Sequence, residues 1–257
     1  MLALDALTDY ARENGMPENK TRGIIREYLQ TLILKSLYTG KYSKNFHFLS
    51  GTALRFAYGL KRFSEDLDFN VKGMGEAEFK DAVEHVRKGL AKEGFACETE
   101  HMKRKDLLTA ELTFPAASGE YGLRDGRGTL MIKIEARKTT WDYETETGIV
   151  NKFGELYPLN LASRGYMLSE KTVALTTHRR GRHVFDIIFM LSKKFPLDKK
   201  VFEAYGIPDE PKPFLKKTIR DIPQQSWKKW RIHSNPSSSM KAKQSVWKKQ
   251  NSTCTNY

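Results

Sequence analysis

At 257 residues, with 39% hydrophobic and 29% charged side chains, the chain is long enough to bury a sizeable core and is ordinary in composition for a soluble globular protein. Its formal net charge is +13, but residues 216–257 hold ten Lys or Arg against one acid, Asp221, so +9 of the excess lies there and the body is only mildly basic. The absence of any apolar run of about 18 residues argues against a membrane-spanning helix, and two distant cysteines, Cys97 and Cys254, argue against a disulfide framework or a CxxC zinc site. The opening MLALDALTDYAREN acquires acids almost at once, unlike a secretory leader, so a cytoplasmic protein is expected.

Residues 1–15 read as a short helix ending at Gly15, and Pro17 begins the next element. From 21 to 38, Ile24, Ile25, Tyr28, Leu29, Leu32, Ile33 and Leu37 recur at helical spacing, which predicts a core-facing helix laid against a sheet. The apolar run 46–49 predicts a buried strand, and 52–58 the helix after it, stopped by Gly59. Ser50, Gly51 and Thr52 fall where strand turns into helix, a place where exposed backbone N–H groups and hydroxyls can hold phosphate. Beyond Lys61-Arg62-Phe63-Ser64, the apolar Leu67, Phe69 and Val71 alternate with Asp66, Asp68 and Asn70. That is the period of a strand, so both carboxylates stand on one face. Two like charges so close repel one another, and a divalent cation is the usual remedy. Oxygen ligands suit magnesium, with manganese as the alternative. Phosphate at one end and metal-binding carboxylates at the other describe a nucleotide-transfer site, with a nucleoside triphosphate as substrate.

A second amphipathic helix is predicted over 76–94, with Phe79, Val83, Val86 and Leu90 on one face and Gly94 as its stop. Strands are expected near 94–100 and 106–114, followed by a turn-rich stretch, 115–128, with five glycines or prolines. Residues 129–136 alternate again, Leu130, Ile132 and Ile134 facing one way and Met131, Lys133 and Glu135 the other. Residues 137–165, with Trp141, Tyr143 and several acids, read as a solvated loop, an acceptor groove being the alternative.

Residues 167–195 are helical in pattern, and two helices joined near Arg180-Gly181 would fold back on one another. After 196, Pro196, Pro208, Pro211, Pro213 and Pro223 break any long helix. The last stretch is polar, Ser- and Lys-rich, with Trp227, Trp230 and Trp247 and little periodicity, and a disordered tail is expected. Basic residues interleaved with tryptophan can bind RNA by charge and stacking, although a solvated charge run is the simpler reading.

The stretch SGTALRFAYGLKRFSEDLDF resembles the signature of the AbiEii/AbiGii toxin family, which usually reads GGTAL, then an arginine and a serine, then DLDF. Ser50 stands where that pattern has its first glycine. A second signature is also met: Glu170-Lys171, Ala174-Leu175, Arg182 and Asp186 match, while His183 replaces an aspartate. The resemblance covers about 20–195, and the family it points to belongs to the nucleotidyltransferase superfamily. It implies an α+β fold, a mixed sheet flanked by helices and followed by a helical C-terminal region. The domains it implies are a core over 1–160, a helical region over 161–215 closing the nucleotide site, and a basic tail over 216–257. It also implies a third carboxylate, for which Glu135 is the candidate; the other reading is an edge-strand glutamate paired with Lys133 or Arg137. Catalytic and metal-binding roles then fall to Asp66, Asp68 and Glu135, and nucleotide binding to Ser50, Gly51, Thr52, Arg62, Ser64, Lys171 and Asp186. For Lys171 and Asp186 the other reading is a salt bridge serving only the helix pair.

The implied activity is transfer of a nucleoside monophosphate to RNA, with tRNA ends the foremost target, by the toxin of a toxin–antitoxin or phage-defence (abortive infection) pair. A cognate antitoxin and an RNA acceptor are the expected partners, with no membrane and a monomeric chain. A non-catalytic RNA- or partner-binding protein on the same fold, and a small-molecule nucleotidyltransferase of the antibiotic-modifying kind, are the competing functions. The phosphate-loop pattern GxxxxGK[ST] is absent, which argues against a P-loop kinase or GTPase.

Overall fold

A computed structural model describes residues 1–123, 128–177, 181–208 and 210–221. They divide into two units, Met1–Ala162 and a second beginning at Ser163.

The first unit starts with α1 (Leu4–Glu13) and α2 (Thr21–Thr39). Strand β1 (Phe46–Leu49) runs straight into α3 (Ser50–Tyr58), and β2 (Leu67–Val71) follows. Next come α4 (Glu76–Lys92), β3 (Glu98–Arg104), β4 (Leu107–Phe114), the single turn α5 (Ala117–Glu120) and β5 (Leu130–Lys138). The unit closes with β6 (Thr145–Lys152) and β7 (Glu155–Ala162). These strands make one mixed sheet in the order β3-β4-β5-β2-β1-β7-β6. The pairs β2–β5 and β1–β7 are parallel and the others antiparallel.

Helices α2 and α4 pack on each other and against the strands. Their apolar stripes meet the inward residues of the sheet, including Phe46, Phe48, Leu67, Phe69, Ile132 and Ile134, all buried. Phe69 stacks on Phe48 at 5.1 Å and meets Phe46 edge-on at 5.3 Å. This cluster anchors the inner face of β2, so the alternate residues of that strand must face outward.

Two expectations change. The first strand after α4 begins at Glu98, not near 94. The Phe95 N–H closes the helix on the Leu90 carbonyl, and its buried ring packs against Tyr28 and Tyr121, so Phe95 plugs the helix end and delays the strand. The larger change is over 137–165, expected as loop, which holds the end of β5 and all of the β6–β7 hairpin. Its two-residue turn places Phe153 at φ +52° and Gly154 at φ +80°. Both angles positive is the requirement of a type I′ turn, whose twist matches that of the strands it joins.

The second unit contains α6 (Arg164–Thr177), α7 (Gly181–Ser192), α8 (Lys199–Ala204) and α9 (Pro211–Arg220). Helices α6 and α7 pack together, while the junction at 178–180 lies outside the described residues. The Asp198 side chain caps α8 by accepting from the Lys200 N–H at 3.0 Å, and the Asp198 N–H donates to the Ser169 hydroxyl at 2.7 Å. Pro211 opens α9 at a position where its missing N–H costs nothing. That helix runs on through Lys216–Arg220, residues that the sequence assigns to the tail. From 222 onward the tail, with its expected disorder and the alternative of RNA binding, lies outside the described residues. Among the described residues no helix is long and apolar enough to cross a membrane.

Candidate nucleotide-transfer site

Alternation along β2 buries Leu67 and Phe69 and leaves Asp68 partly exposed between them. Asp68 pairs in register with Glu135 on the parallel neighbour β5. Residues opposite one another on adjacent strands share a face of the sheet, so the two carboxylates are side-by-side neighbours. Asp66 lies two positions earlier, immediately before β2, at the same phase. Because β5 is flanked by β2 on one side and β4 on the other, Glu135 does not lie on an edge strand.

Lys133, which in sequence stands out only as a pairing partner for Glu135, belongs to this cluster. Its ammonium lies 3.3 Å from Glu111 and 3.9 Å from Glu135. Burial pulls its pKa down, but the hydrogen bond to Glu111 and the charges of Glu135, Glu111 and Asp66 outweigh that, and the net shift is upward. Lys133 therefore stays protonated beside these acidic groups and offsets part of their mutual repulsion. The signal was available in the sequence, since Lys133 stands two residues before Glu135 on an alternating strand.

An all-oxygen set of three carboxylates fits magnesium or manganese in kind. The side chains are not gathered into a closed cage: among the described residues no three His, Cys, Asp or Glu groups stand in an arrangement that could hold a metal ion.

On the other side of β2 the chain makes a sharp strand-to-helix turn. Leu49 is extended, Ser50 has φ +69°, and α3 begins there. A left-handed conformation costs a residue with a Cβ about 1–2 kcal/mol, which explains physically why a glycine is at home in this position. Gly51 leaves room for its neighbours: a Cβ built on it would meet Arg62 Nη2 at 2.5 Å and Ser64 Oγ at 3.0 Å, so these side-chain ends would have to move aside. The segment between α3 and β2 thus lays Arg62 and Ser64 directly over the first turn of α3. Leu49, the N-cap, has no side chain that could cap the helix, and a helix start of this kind favours anions. Thr52 differs from the expectation of a phosphate-binding hydroxyl. It is fully buried, and its hydroxyl donates a short hydrogen bond to the Asp66 carbonyl, tying the start of α3 to the start of β2. Ser50, Gly51, Thr52, Arg62, Ser64, Asp66, Asp68 and Glu135 are therefore brought together in the first unit.

In the second unit Lys171 on α6 and Asp186 on α7 are both buried, with Nζ and Oδ2 3.8 Å apart. The ion pair of the alternative reading is thus present.

A mixed sheet with a small-residue strand-to-helix turn, Asp-x-Asp on the next strand and a carboxylate on the strand beside it defines a nucleotidyltransferase fold. Solved structures show the same architecture. The nucleotidyltransferase toxin MenT4 from Mycobacterium tuberculosis H37Rv aligns with a TM-score of 0.54 at 14% identity, over 90% of this chain and 72% of that one. JHP933 from Helicobacter pylori aligns with a TM-score of 0.50 at 16% identity, over 84% of this chain and 97% of that one. At such identities the likeness establishes fold alone. The family model described as "Nucleotidyl transferase AbiEii toxin, Type IV TA system" matches residues 32–248, and the chain belongs to that family. Membership makes it a nucleotidyltransferase toxin of a type IV toxin–antitoxin system and implies a cognate antitoxin. None of the curated proteins matches.

Proposed function

We propose that the chain transfers a nucleoside monophosphate from a nucleoside triphosphate to a hydroxyl of RNA, with tRNA ends the foremost target, and acts in the cytoplasm as a toxin. The observation that carries this reading is the in-register pairing of Asp68 with Glu135 beside the Gly51–Arg62–Ser64 cluster. The backbone N–H groups at the start of α3, with the Arg62 guanidinium and the Ser64 hydroxyl, hold phosphate oxygens of the triphosphate. The second signature adds Lys171 and Asp186 as nucleotide-binding residues by resemblance. Asp66, Asp68 and Glu135 would hold magnesium or manganese, which when bound supplies charge neutralisation at the reacting phosphoryl group.

A carboxylate of the cluster, Glu135 foremost, accepts the proton of the acceptor hydroxyl. That oxygen forms its bond to the α-phosphorus as the bond to the bridging oxygen breaks and pyrophosphate leaves. Little covalent chemistry falls to the protein, so holding the groups in line accounts for most of its contribution.

The test is transfer of label from each of the four α-³²P nucleoside triphosphates to total bacterial RNA, with Mg²⁺. The chain is compared with its Asp66→Ala, Asp68→Ala double variant. Labelled RNA that vanishes in the variant supports the reading and identifies nucleotide and acceptor class together. Label that appears only on small-molecule acceptors, or not at all, refutes RNA transfer.

A further inference from the structure

Helix α2 is buried along most of its middle, and beside Thr31, whose hydroxyl bonds back to the Glu27 carbonyl of the same helix, it buries two longer polar side chains, Glu27 and Gln30, each 1% exposed. Such residues are rarely buried without a partner. With Gly23 and Arg26 they occupy positions i, i+3, i+4 and i+7, a single stripe of the helix. The stripe faces the segment between α3 and β2. A Cβ on Gly23 would come within 2.8 Å of the Phe63 ring. Arg26 pairs with the Glu65 carboxylate at 3.1 Å. Gln30 Nε2 donates to the carbonyls of Ser64 and Glu65 at 3.1 and 2.9 Å.

Glu27 reaches the same segment through Arg55 of α3. Arg55 Nε donates to Glu27 Oε2, Arg55 Nη1 donates to the Leu60 carbonyl at 3.0 Å, and the guanidinium stacks on the Phe63 ring at 4.5 Å. On its other oxygen Glu27 accepts from Lys152 at 2.7 Å. The carboxylate thus orients a planar fork whose remaining faces grip the chain at Leu60 and Phe63, while Gln30 grips it at Ser64 and Glu65. The residues delivered by that grip are Arg62, Ser64 and Asp66.

We propose that buried Glu27, acting through Arg55, is a positioning residue that sets the conformation of residues 59–66 and so fixes Arg62, Ser64 and Asp66 for phosphate and carboxylate chemistry. The functional half of this inference rests on the transfer reading above; the conformational half stands without it. Neither residue touches the reacting atoms, and a lysine cannot replace Arg55, because it keeps the charge but loses the fork and the stacking plane.

The test compares Glu27→Gln and Arg55→Lys with Tyr157→Phe, a control that removes a buried hydrogen bond to the Thr31 carbonyl on the same helix without touching the segment. Native-state trypsin cleavage after Lys61 and Arg62, mapped by mass spectrometry, reads local opening without requiring catalysis. We expect cleavage at these two bonds to quicken by about tenfold or more in Glu27→Gln and Arg55→Lys, with other sites unchanged, and to stay at the wild-type rate in Tyr157→Phe. Nucleotide transfer should fall in parallel by roughly 10- to 100-fold in kcat/KM for the triphosphate, with KM for the acceptor unmoved. If Glu27→Gln does not fold, Arg55→Lys carries the comparison alone. Cleavage and transfer that change equally in all three variants, or in none, overturn the proposal. A wild-type chain that transfers nothing overturns the transfer reading, while the cleavage pattern still decides the positioning role.

Discussion

Replacing Gly51 by alanine should separate catalysis from stability. Gly51 lies in the first turn of α3 and is not among the glycines with positive φ, so an alanine fits the backbone and adds up to about 1 kcal/mol of helix propensity. Its Cβ, however, would stand 2.5 Å from Arg62 Nη2 and 3.0 Å from Ser64 Oγ, where ordinary contacts begin near 3.4 Å. Both neighbours are side-chain ends, so they yield: the guanidinium must withdraw by about 1 Å, a displacement that at a positioned group can cost on the order of 100-fold in rate. The expected result is a melting temperature unchanged or raised by roughly 2–4 °C, together with a transfer rate lowered by about two orders of magnitude. Single-turnover transfer and a thermal melt on the same preparation measure both. Wild-type kcat/KM in Gly51→Ala would refute the claim that Arg62 and Ser64 act from above this helix start, and a large loss of stability would refute the claim that the fold has room for the change.

Ser50→Gly removes the cost of a left-handed residue with a Cβ and should stabilise the chain by about 1 kcal/mol without lowering transfer, read by urea titration; destabilisation would contradict the strain argument. Phe69→Ala empties the centre of the Phe46–Phe48–Phe69 cluster and should cost about 3–5 kcal/mol in the same assay, whereas a loss under 1 kcal/mol, well below that range, would mean that the inner face of β2 is not anchored as described. Burial holds the His47 imidazole below its ordinary pKa of 6.5, with the Lys72 charge acting the same way and a backbone hydrogen bond at Lys44 opposing. The unfolded chain therefore takes up this proton first, so the stability linked to His47 is complete above 6.5 and is lost as the pH falls through the window below it. His47→Gln should flatten the decline in melting temperature between about pH 7 and pH 5, leaving a residual slope from His101, which is shifted in the same direction; an identical decline in both proteins would remove His47 from the account.

The strand that carries Asp68, with Asp66 just before it, is legible from sequence because strict alternation and a run of aromatic residues point the same way. The β6–β7 hairpin is not. Its outer face leaves Ile149 and Leu156 68% and 72% exposed, so apolar residues occur on both faces and the period-two signal is lost. Its turn is Phe153-Gly154, not the Asn-Gly or Asp-Gly that marks such turns. Glu27 and Gln30 are hidden for a related reason. A helix predicted from the spacing of its apolar residues says nothing about the polar ones between them, and their partners lie about 30 residues away along the chain. Gly51 is visible as a turn residue, but its need for space comes from Arg62 and Ser64, which only the folded chain brings over it. The pairing of Asp68 with Glu135 joins strands separated by α4, β3, β4 and α5, and no local pattern could supply that register.

In the proposed function Asp68 and Glu135, neighbours across β2 and β5, act as one metal-binding centre for a nucleoside triphosphate. Electron paramagnetic resonance of Mn²⁺, titrated in the presence of a non-hydrolysable triphosphate, tests it most directly in the wild-type chain, Asp68→Asn and Glu135→Gln. A bound Mn²⁺ signal is expected in the wild type, with an affinity at least about tenfold weaker in each variant, since one of a few carboxylate ligands is lost. Mn²⁺ affinity unchanged in both variants would contradict it.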